Sequence, residues 1–269
     1  MTSEPIRLIA LDLDGTLFDF SFQFSSRVRS AITQAQQHGV AVTLATGRSI
    51  TSTRPFAQEL DIREPLICYQ GGWIAETNGR VLHRVALDRN LAAQMIDFAQ
   101  AHNWHVNLYC DGQLYLTELR HPLSFYEGLL NPAAQHVSDL HALLDRDPDK
   151  VLIVTEGNGD EILAGLRERF DGQMEIVRSH DLFIEANPLN VDKGIGLAWL
   201  AGHLGVPQSQ VMAVGDQDND TPMVAWAGLG VAMGNGSAAC KAAADWIAPP
   251  ISDDGVAAAI ERFVLNDHH

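Results

Sequence analysis

Three short apolar runs in this chain each stop at a cluster of small, polar and acidic residues, and that pattern limits the folds open to it. Ile6 to Leu11 ends at Asp12-Leu13-Asp14-Gly15-Thr16, Val40 to Ala45 at Thr46-Gly47-Arg48, and Val211 to Val214 at Gly215 through Asp220. Such runs are too short for helices and read as strands buried on both faces. Between the first two, Val28, Ala31, Ile32 and Ala35 recur at helical spacing, with Ser25 or Ser26 as cap and Gly39 as stop. Apolar strands alternating with amphipathic helices mark a parallel sheet covered on both sides. In open sheets of that kind the ligand crevice lies beyond the carboxyl ends of the strands, where the three polar clusters fall.

A further helix and strand follow at Phe56 to Leu60 and Leu66 to Tyr69, and then the rhythm changes after Gly79. Val81 to Leu87, a helix over Leu91 to His102 and a hairpin of Trp104–Tyr109 with Leu114–Thr117 around Asp111-Gly112 read as half-buried α+β structure. Lys150 to Thr155, Met174 to Val177 and Leu182 to Ala186 read as strands, Asp160 to Phe170 as a helix, and Asn131 to Val137 as loop. At Pro188 the parallel pattern resumes with a helix over Gly194 to Leu204, the strand Val211 to Val214, a helix from Pro222, the strand Leu229 to Met233 and a helix over Gly255 to Leu265. The fold expected is α/β: a doubly wound, mostly parallel core sheet from residues 1–83 and 189–269, split by an α+β insert over 84–188.

Composition narrows the partners. Eighteen Lys and Arg against 34 Asp and Glu leave a net charge of −16, which repels nucleic acid and anionic membranes, and no basic patch offsets it. With 46% hydrophobic and 19% charged residues the chain has ample material for a core. Cys68, Cys110 and Cys240 form no C-x-x-C, so neither a disulfide framework nor a thiolate zinc site is expected. Asp12 and Asp14 interrupt the first apolar run, leaving no signal-peptide core, and no stretch reaches the ~18 apolar residues of a membrane span. A cytoplasmic location is expected. His268 and His269 are assigned no role.

The chemistry expected in the crevice follows from charge. Two unit charges ~4 Å apart at an effective dielectric of ~20 repel by about 4 kcal/mol, so a convergence of Asp12, Asp14 and Asp216 requires a cation. An all-oxygen set without cysteine or clustered histidine suits Mg2+ rather than zinc. A magnesium ion beside a free carboxylate makes a site for a phosphoryl group, which the carboxylate attacks in line. Lys193 stands at a helix start, against the dipole, so some other interaction must hold it there. Thr46 and Gly47 offer a hydroxyl and an open backbone N–H at a strand-to-helix turn, an anion-cradling arrangement.

Asp12-Leu13-Asp14-Gly15-Thr16, Thr46-Gly47-Arg48, Lys193-Gly194 and Gly215-Asp216-Gln217-Asp218-Asn219-Asp220, in that order, resemble the four motifs of the haloacid dehalogenase-like (HAD) phosphohydrolases, in their Cof-type branch. The resemblance covers essentially the whole chain and implies a Rossmann-like core, a C2-type cap at the insert, Mg2+ dependence and an aspartyl-phosphate intermediate. It implies Asp12 as nucleophile and metal ligand, and Asp14 as general acid and base with its carbonyl on the metal. It also implies Asp216 as third metal ligand, and Leu13, through its amide, Thr46, Gly47, Lys193 and Asn219 on the phosphate side. Asp220 is expected to support its loop. Tyr69-Gln70-Gly71-Gly72 departs from the Asn-Gly-Ala run usual there, which puts a substrate contact from that loop in question. Arg48 is open between supporting the site and pairing at the surface, the histidines lack ligand spacing, and Trp73, Trp104, Phe125 and Tyr126 read as core.

Three functions remain. The first is a phosphatase of small phosphorylated metabolites such as sugar phosphates, and the second a phosphomutase on hexose phosphates with the same first step. The third is a non-catalytic, phosphate-responsive module. Two carboxylates for two half-reactions favour the phosphatase. Nothing in the sequence fixes the physiological substrate or the oligomeric state.

Overall fold

The computed structural model describes residues 4–18, 23–126 and 134–266. In chain order the elements are β1 (Leu8–Leu11), α1 (Ser26–Gln37), β2 (Ala41–Leu44), α2 (Ile50–Glu59), β3 (Leu66–Cys68), β4 (Trp73–Ala75) and β5 (Val81–Arg84). Next come α3 (Arg89–Ala101), β6 (His105–Cys110), β7 (Gln113–Leu116), the single turn α4 (Leu123–Phe125), β8 (Gln135–His136), β9 (Lys150–Val154), α5 (Gly159–Phe170), β10 (Glu175–His180) and β11 (Phe183–Asn187). The chain continues through α6 (Lys193–Leu204), β12 (Val211–Gly215), α7 (Thr221–Trp226), β13 (Leu229–Ala232), α8 (Ala238–Ala243), β14 (Trp246–Ile247) and α9 (Gly255–Ile260).

Five strands form a parallel sheet in the order β14-β13-β12-β1-β2. Alternate residues of the central strands serve opposite faces. Ile9, Leu11, Met212 and Val214 pack with Val28 and Ile32 of α1 and Val256 and Ile260 of α9. Leu8, Ala10, Val211 and Ala213 pack with Leu197 and Leu200 of α6 and Met223 of α7. Each fully buried Leu, Ile or Val side chain is worth about 1.5–3 kcal/mol, so the doubly wound arrangement is set by these strands. Their register also places the chemistry, because a one-residue slip would exchange the two faces of a strand. Leu11 pairs with both Val214 and Leu44, which brings Asp12, Gly215 and Ala45 to one edge.

The second sheet, β10-β11-β9-β6-β7-β8, is antiparallel apart from its β7–β8 edge. Leu108, Val151, Ile153 and Ile184 on one face pack with Met95 and Ile96 of α3 and Ile162, Leu166 and Phe170 of α5. The residues alternating with them, among them Tyr109, Leu152, Val154 and Phe183, join the first sheet's larger cluster. A three-stranded antiparallel ribbon, β3-β4-β5, continues the first sheet's edge through a parallel bridge between Ala45 and Ile67.

Several elements differ from the sequence reading. The helix read over Phe56 to Leu60 begins at Ile50, where the Ser49 hydroxyl caps Ser52, and Pro55 lies inside it. Strand β4 was not read, because three residues after a turn carry no periodic signal. Gln135 and His136, read as loop, pair with β7, while residues 131–133 of that loop, like His268 and His269, lie outside the described residues.

Candidate active site

The parallel sheet presents its acidic residues at one edge. Asp12 follows β1, donates its backbone N–H to the Val214 carbonyl at 3.0 Å, and is 4% exposed. Lys193, the first residue of α6, is buried, and its Nζ donates to Asp12 Oδ1 at 2.6 Å and to Asp220 Oδ1 at 2.5 Å. These two carboxylates hold a lysine that the helix dipole disfavours at that end. Asp216, after β12, accepts from the Thr16 hydroxyl at 2.9 Å and from Gln217 Nε2 at 3.1 Å. The other Asp220 oxygen accepts the backbone N–H groups of Asp216 and Gln217 at 2.8 and 2.9 Å, so Asp220 ties the loop to Lys193. Gly15 has a φ of +89°, and a Cβ there would lie 2.4 Å from Asp216 Oδ2, so the turn between the acidic residues admits only glycine.

Charge at this edge is unbalanced. Oxygens of Asp12, Asp216 and Asp220 lie within 4.8 Å of one another, against the single ammonium of Lys193. Burial, followed by repulsion from Asp220, pushes the Asp12 carboxyl well above its ordinary range despite Lys193. The same two causes, in the same order, raise Asp216 to about 6. Burial works against the Lys193 charge, but attraction to Asp12 and Asp220 outweighs it and raises its pKa. Three carboxylates against one ammonium leave two negative charges in a desolvated place, the amount one divalent cation neutralises.

Opposite the acids stands the turn after β2. The Thr46 amide donates to the Ile67 carbonyl at 2.9 Å, and its carbonyl accepts from the Gln70 amide at 3.1 Å. Gln70 is buried with a left-handed backbone (φ +57°). Its side chain accepts from Asn219 Nδ2 at 3.1 Å and donates to Glu185 at 3.4 Å. A Cβ on Gly47 would lie 2.5 Å from Gln70 Nε2, so the Gln70 amide can sit against the turn only because residue 47 is glycine. Asn219 Oδ1 is buried without a hydrogen-bond partner among the described residues. Asp14, its side chain 46% exposed, is gripped at both oxygens by Arg48, at 2.6 and 2.7 Å.

The second sheet closes the space from above. Lys150 and Glu185 pair at 2.9 Å with both side chains buried. Lys150 Nζ also donates to the Gly47 carbonyl at 2.9 Å, and the Ser179 hydroxyl donates to Glu185 at 2.8 Å. Between sheets lies a pocket of about 430 Å³, with Asp12, Asp14, Thr46, Gly47, Lys193, Asp216 and Asn219 on its lower side. Of the residues to which the resemblance gives catalytic, metal or phosphate roles, only Leu13 is absent from the lining, its side chain buried in the core.

A family profile for haloacid dehalogenase-like hydrolases matches residues 9–260. The chain belongs to that family. This hydrolase is 32% identical over 260 residues to the 5-amino-6-(5-phospho-D-ribitylamino)uracil phosphatase YcsE of Bacillus subtilis, covering 97% of this chain and 96% of that one. A second Bacillus subtilis protein of the same named activity, YitU, is 28% identical over 275 residues, covering 98% and 99%. Among solved structures, a haloacid dehalogenase-like hydrolase from Bacteroides thetaiotaomicron superposes with a TM-score of 0.84 at 31% identity, covering 96% of this chain and 99% of that one.

The donor set of this hydrolase fits a hard divalent cation. Asp12 and Asp216 offer carboxylate oxygens without a competing thiol or imidazole, and Asp220 is committed to Lys193 and two amides. The Asp14 carboxylate is turned to Arg48, so only its backbone is left for the metal role the sequence gave it. Arg48, left open from the sequence, pairs inside the pocket.

Sequence reasoning missed the pocket's upper side, Lys150, Glu185, Tyr109 and Phe183. A signal was present: Lys150 opens the strand KVLIV and Glu185 interrupts FIEAN, the single charge in each of two mostly apolar strands, of opposite sign. Trp73, Trp104 and Tyr126 are core residues, as read. Among the described residues no helix is long and apolar enough to cross a membrane.

Proposed function

We propose that this hydrolase is a Mg2+-dependent phosphomonoesterase that releases phosphate from a small phosphorylated metabolite through an aspartyl-phosphate on Asp12. One observation carries the reading: a buried carboxylate at the end of a central strand, held on one oxygen by Lys193, opens into a pocket shared with Thr46, Gly47 and Asn219. The segment 84–188 serves as the cap that closes this pocket, tied down by Lys150 on Gly47 and Glu185 on Gln70.

In the first step an Asp12 oxygen forms a bond to phosphorus, the ester P–O bond breaks, and a proton from Asp14 goes to the leaving oxygen. In the second, water attacks phosphorus, its proton goes to Asp14, and the bond to Asp12 breaks, releasing phosphate and the free carboxylate. Thr46, Gly47, Asn219 and the Leu13 amide hold the phosphoryl oxygens, and Lys193 keeps Asp12 oriented. When bound by Asp12, Asp216 and the Asp14 carbonyl, Mg2+ supplies charge neutralisation for the phosphoryl oxygens. Arg48 holds Asp14 at the pocket mouth until substrate enters. The three cysteines are free thiols, in keeping with the cytoplasmic location read from the sequence.

The upper side combines the rings of Tyr109 and Phe183 with the paired charges of Lys150 and Glu185, which suits a leaving group carrying both a ring and hydroxyls. Two relatives are named for 5-amino-6-(5-phospho-D-ribitylamino)uracil, a compound of that description, and it is the first to test. The experiment is a phosphate-release screen over phosphorylated metabolites with and without Mg2+. Release that needs Mg2+ and disappears in Asp12→Asn is expected. Unchanged release by that variant overturns the nucleophile, and an isomeric phosphate in place of free phosphate makes the enzyme a mutase.

A further inference from the structure

A second group of metal-type donors lies in the antiparallel sheet, among residues the pocket does not use. His105 opens β6 and pairs across the sheet with Val154 of β9, two residues before Glu156, while His121 follows β7. One ring nitrogen of each histidine and a Glu156 oxygen lie within 4.8 Å of one another. The two rings are nearly parallel, with centroids 5.9 Å apart.

His105 is 2% exposed, and its Nδ1 and the His121 Nε2 are buried without a hydrogen bond among the described residues. Leaving such nitrogens unsatisfied costs about 1–3 kcal/mol each, which a ligand would recover. His105 Nε2 sits 3.3 Å from the Tyr126 hydroxyl, the kind of outer partner that fixes a ligating imidazole. Glu118 pairs with Arg120 at 2.5 Å and offsets its charge, leaving Glu156 as the anion beside the rings.

We propose that His105, His121 and Glu156 form a second cation site, separate from the catalytic one, for a transition ion of the Zn2+ type. Two imidazoles and one carboxylate match the nitrogen and oxygen donors such an ion takes, with a fourth position left to water. Mg2+, which prefers oxygen ligands, would not compete. The bound ion braces the pocket's upper wall. His121 stacks on Phe125 at 4.4 Å, Phe125 lies 6.2 Å from the pocket residue Phe183, and Thr155, beside Glu156, donates its hydroxyl to the carbonyl of the pocket residue Asp181 at 2.9 Å.

The test titrates the full chain, in excess Mg2+, with Co2+ as a visible stand-in and with Zn2+ while following thermal unfolding. One equivalent of Co2+ with a tetrahedral absorption band, and a rise in Tm with Zn2+, are expected. His121→Ala and Glu156→Gln, both at positions with solvent access, should each weaken binding by about tenfold or more while keeping the native circular dichroism. Asp216→Asn should leave the band unchanged. Absence of both band and Tm shift overturns the proposal, as does a band that survives both cap variants or vanishes in Asp216→Asn.

Discussion

The lower and upper sides of the pocket each hold a buried lysine, and the two are secured differently. Lys193 is fixed within the parallel sheet by Asp12 and Asp220, residues at the ends of hydrogen-bonded neighbouring strands and their loops. Lys150 reaches from the antiparallel sheet to the carbonyl of Gly47, pairs with Glu185 and lies over the rings of Tyr69 and Tyr109, at 5.3 and 4.9 Å. The first lysine is locked to its own scaffold; the second joins one scaffold to another. Bond-making chemistry needs atoms held to a fraction of an ångström, which a packed parallel sheet supplies. Selecting a leaving group needs contacts that form on closure, which a few polar bonds across a seam supply. Substitutions below should therefore lower kcat, and those above should raise KM.

The largest effect is expected below. Asp12→Asn should cut turnover by a factor on the order of 10⁴ with the fold intact by circular dichroism. Asp14→Asn should slow it by roughly 10³-fold, while Mg2+ affinity by calorimetry changes little, since the metal contact proposed for Asp14 is its backbone carbonyl.

A smaller effect comes from charge crowding. Asp216 binds its proton more tightly folded than unfolded, so the native state holds more protons between the ordinary carboxylate range and about pH 6. The contribution of Asp216 to the stability of metal-free protein should be fully present below that window and be lost, by a few kcal/mol, as pH rises through it, measured by urea unfolding against Asp216→Asn. Saturating Mg2+ should abolish that loss, and Asp216→Asn should reduce it. The smallest effect is expected above: Glu185→Gln, which keeps its hydrogen-bonding shape, should raise KM roughly tenfold and leave kcat within about twofold. A fall in kcat instead would erase the distinction between the two sides.

The same contrast governs what the sequence reveals. Asp12, Thr46 and Asp216 each follow an apolar strand directly, so strand ends and crevice could be read together, and the resemblance named their order. The upper side has no such punctuation. Lys150 and Glu185 are 35 positions apart and meet only because β9 pairs with β11, putting both on one face of that sheet. Gln70 looked like a defect in a motif, yet its left-handed backbone turns its amide between Asn219 and Glu185, linking both sides. The histidines appeared to lack ligand spacing because spacing along the chain does not report cross-strand neighbours, and His105 and Glu156 come together through the pairing of β6 with β9. Helix α2 was misplaced by six residues at its start because Pro55 reads locally as a boundary, although Ser49 supplies the cap.

The central claim, that Asp12 carries the phosphoryl group, is tested most directly by trapping. Enzyme and substrate are mixed with Mg2+, quenched within a turnover and reduced with borohydride, and the peptides are sequenced by mass spectrometry. Conversion of residue 12 to homoserine is predicted. Full turnover with residue 12 unmodified, or modification at another carboxylate, would contradict it.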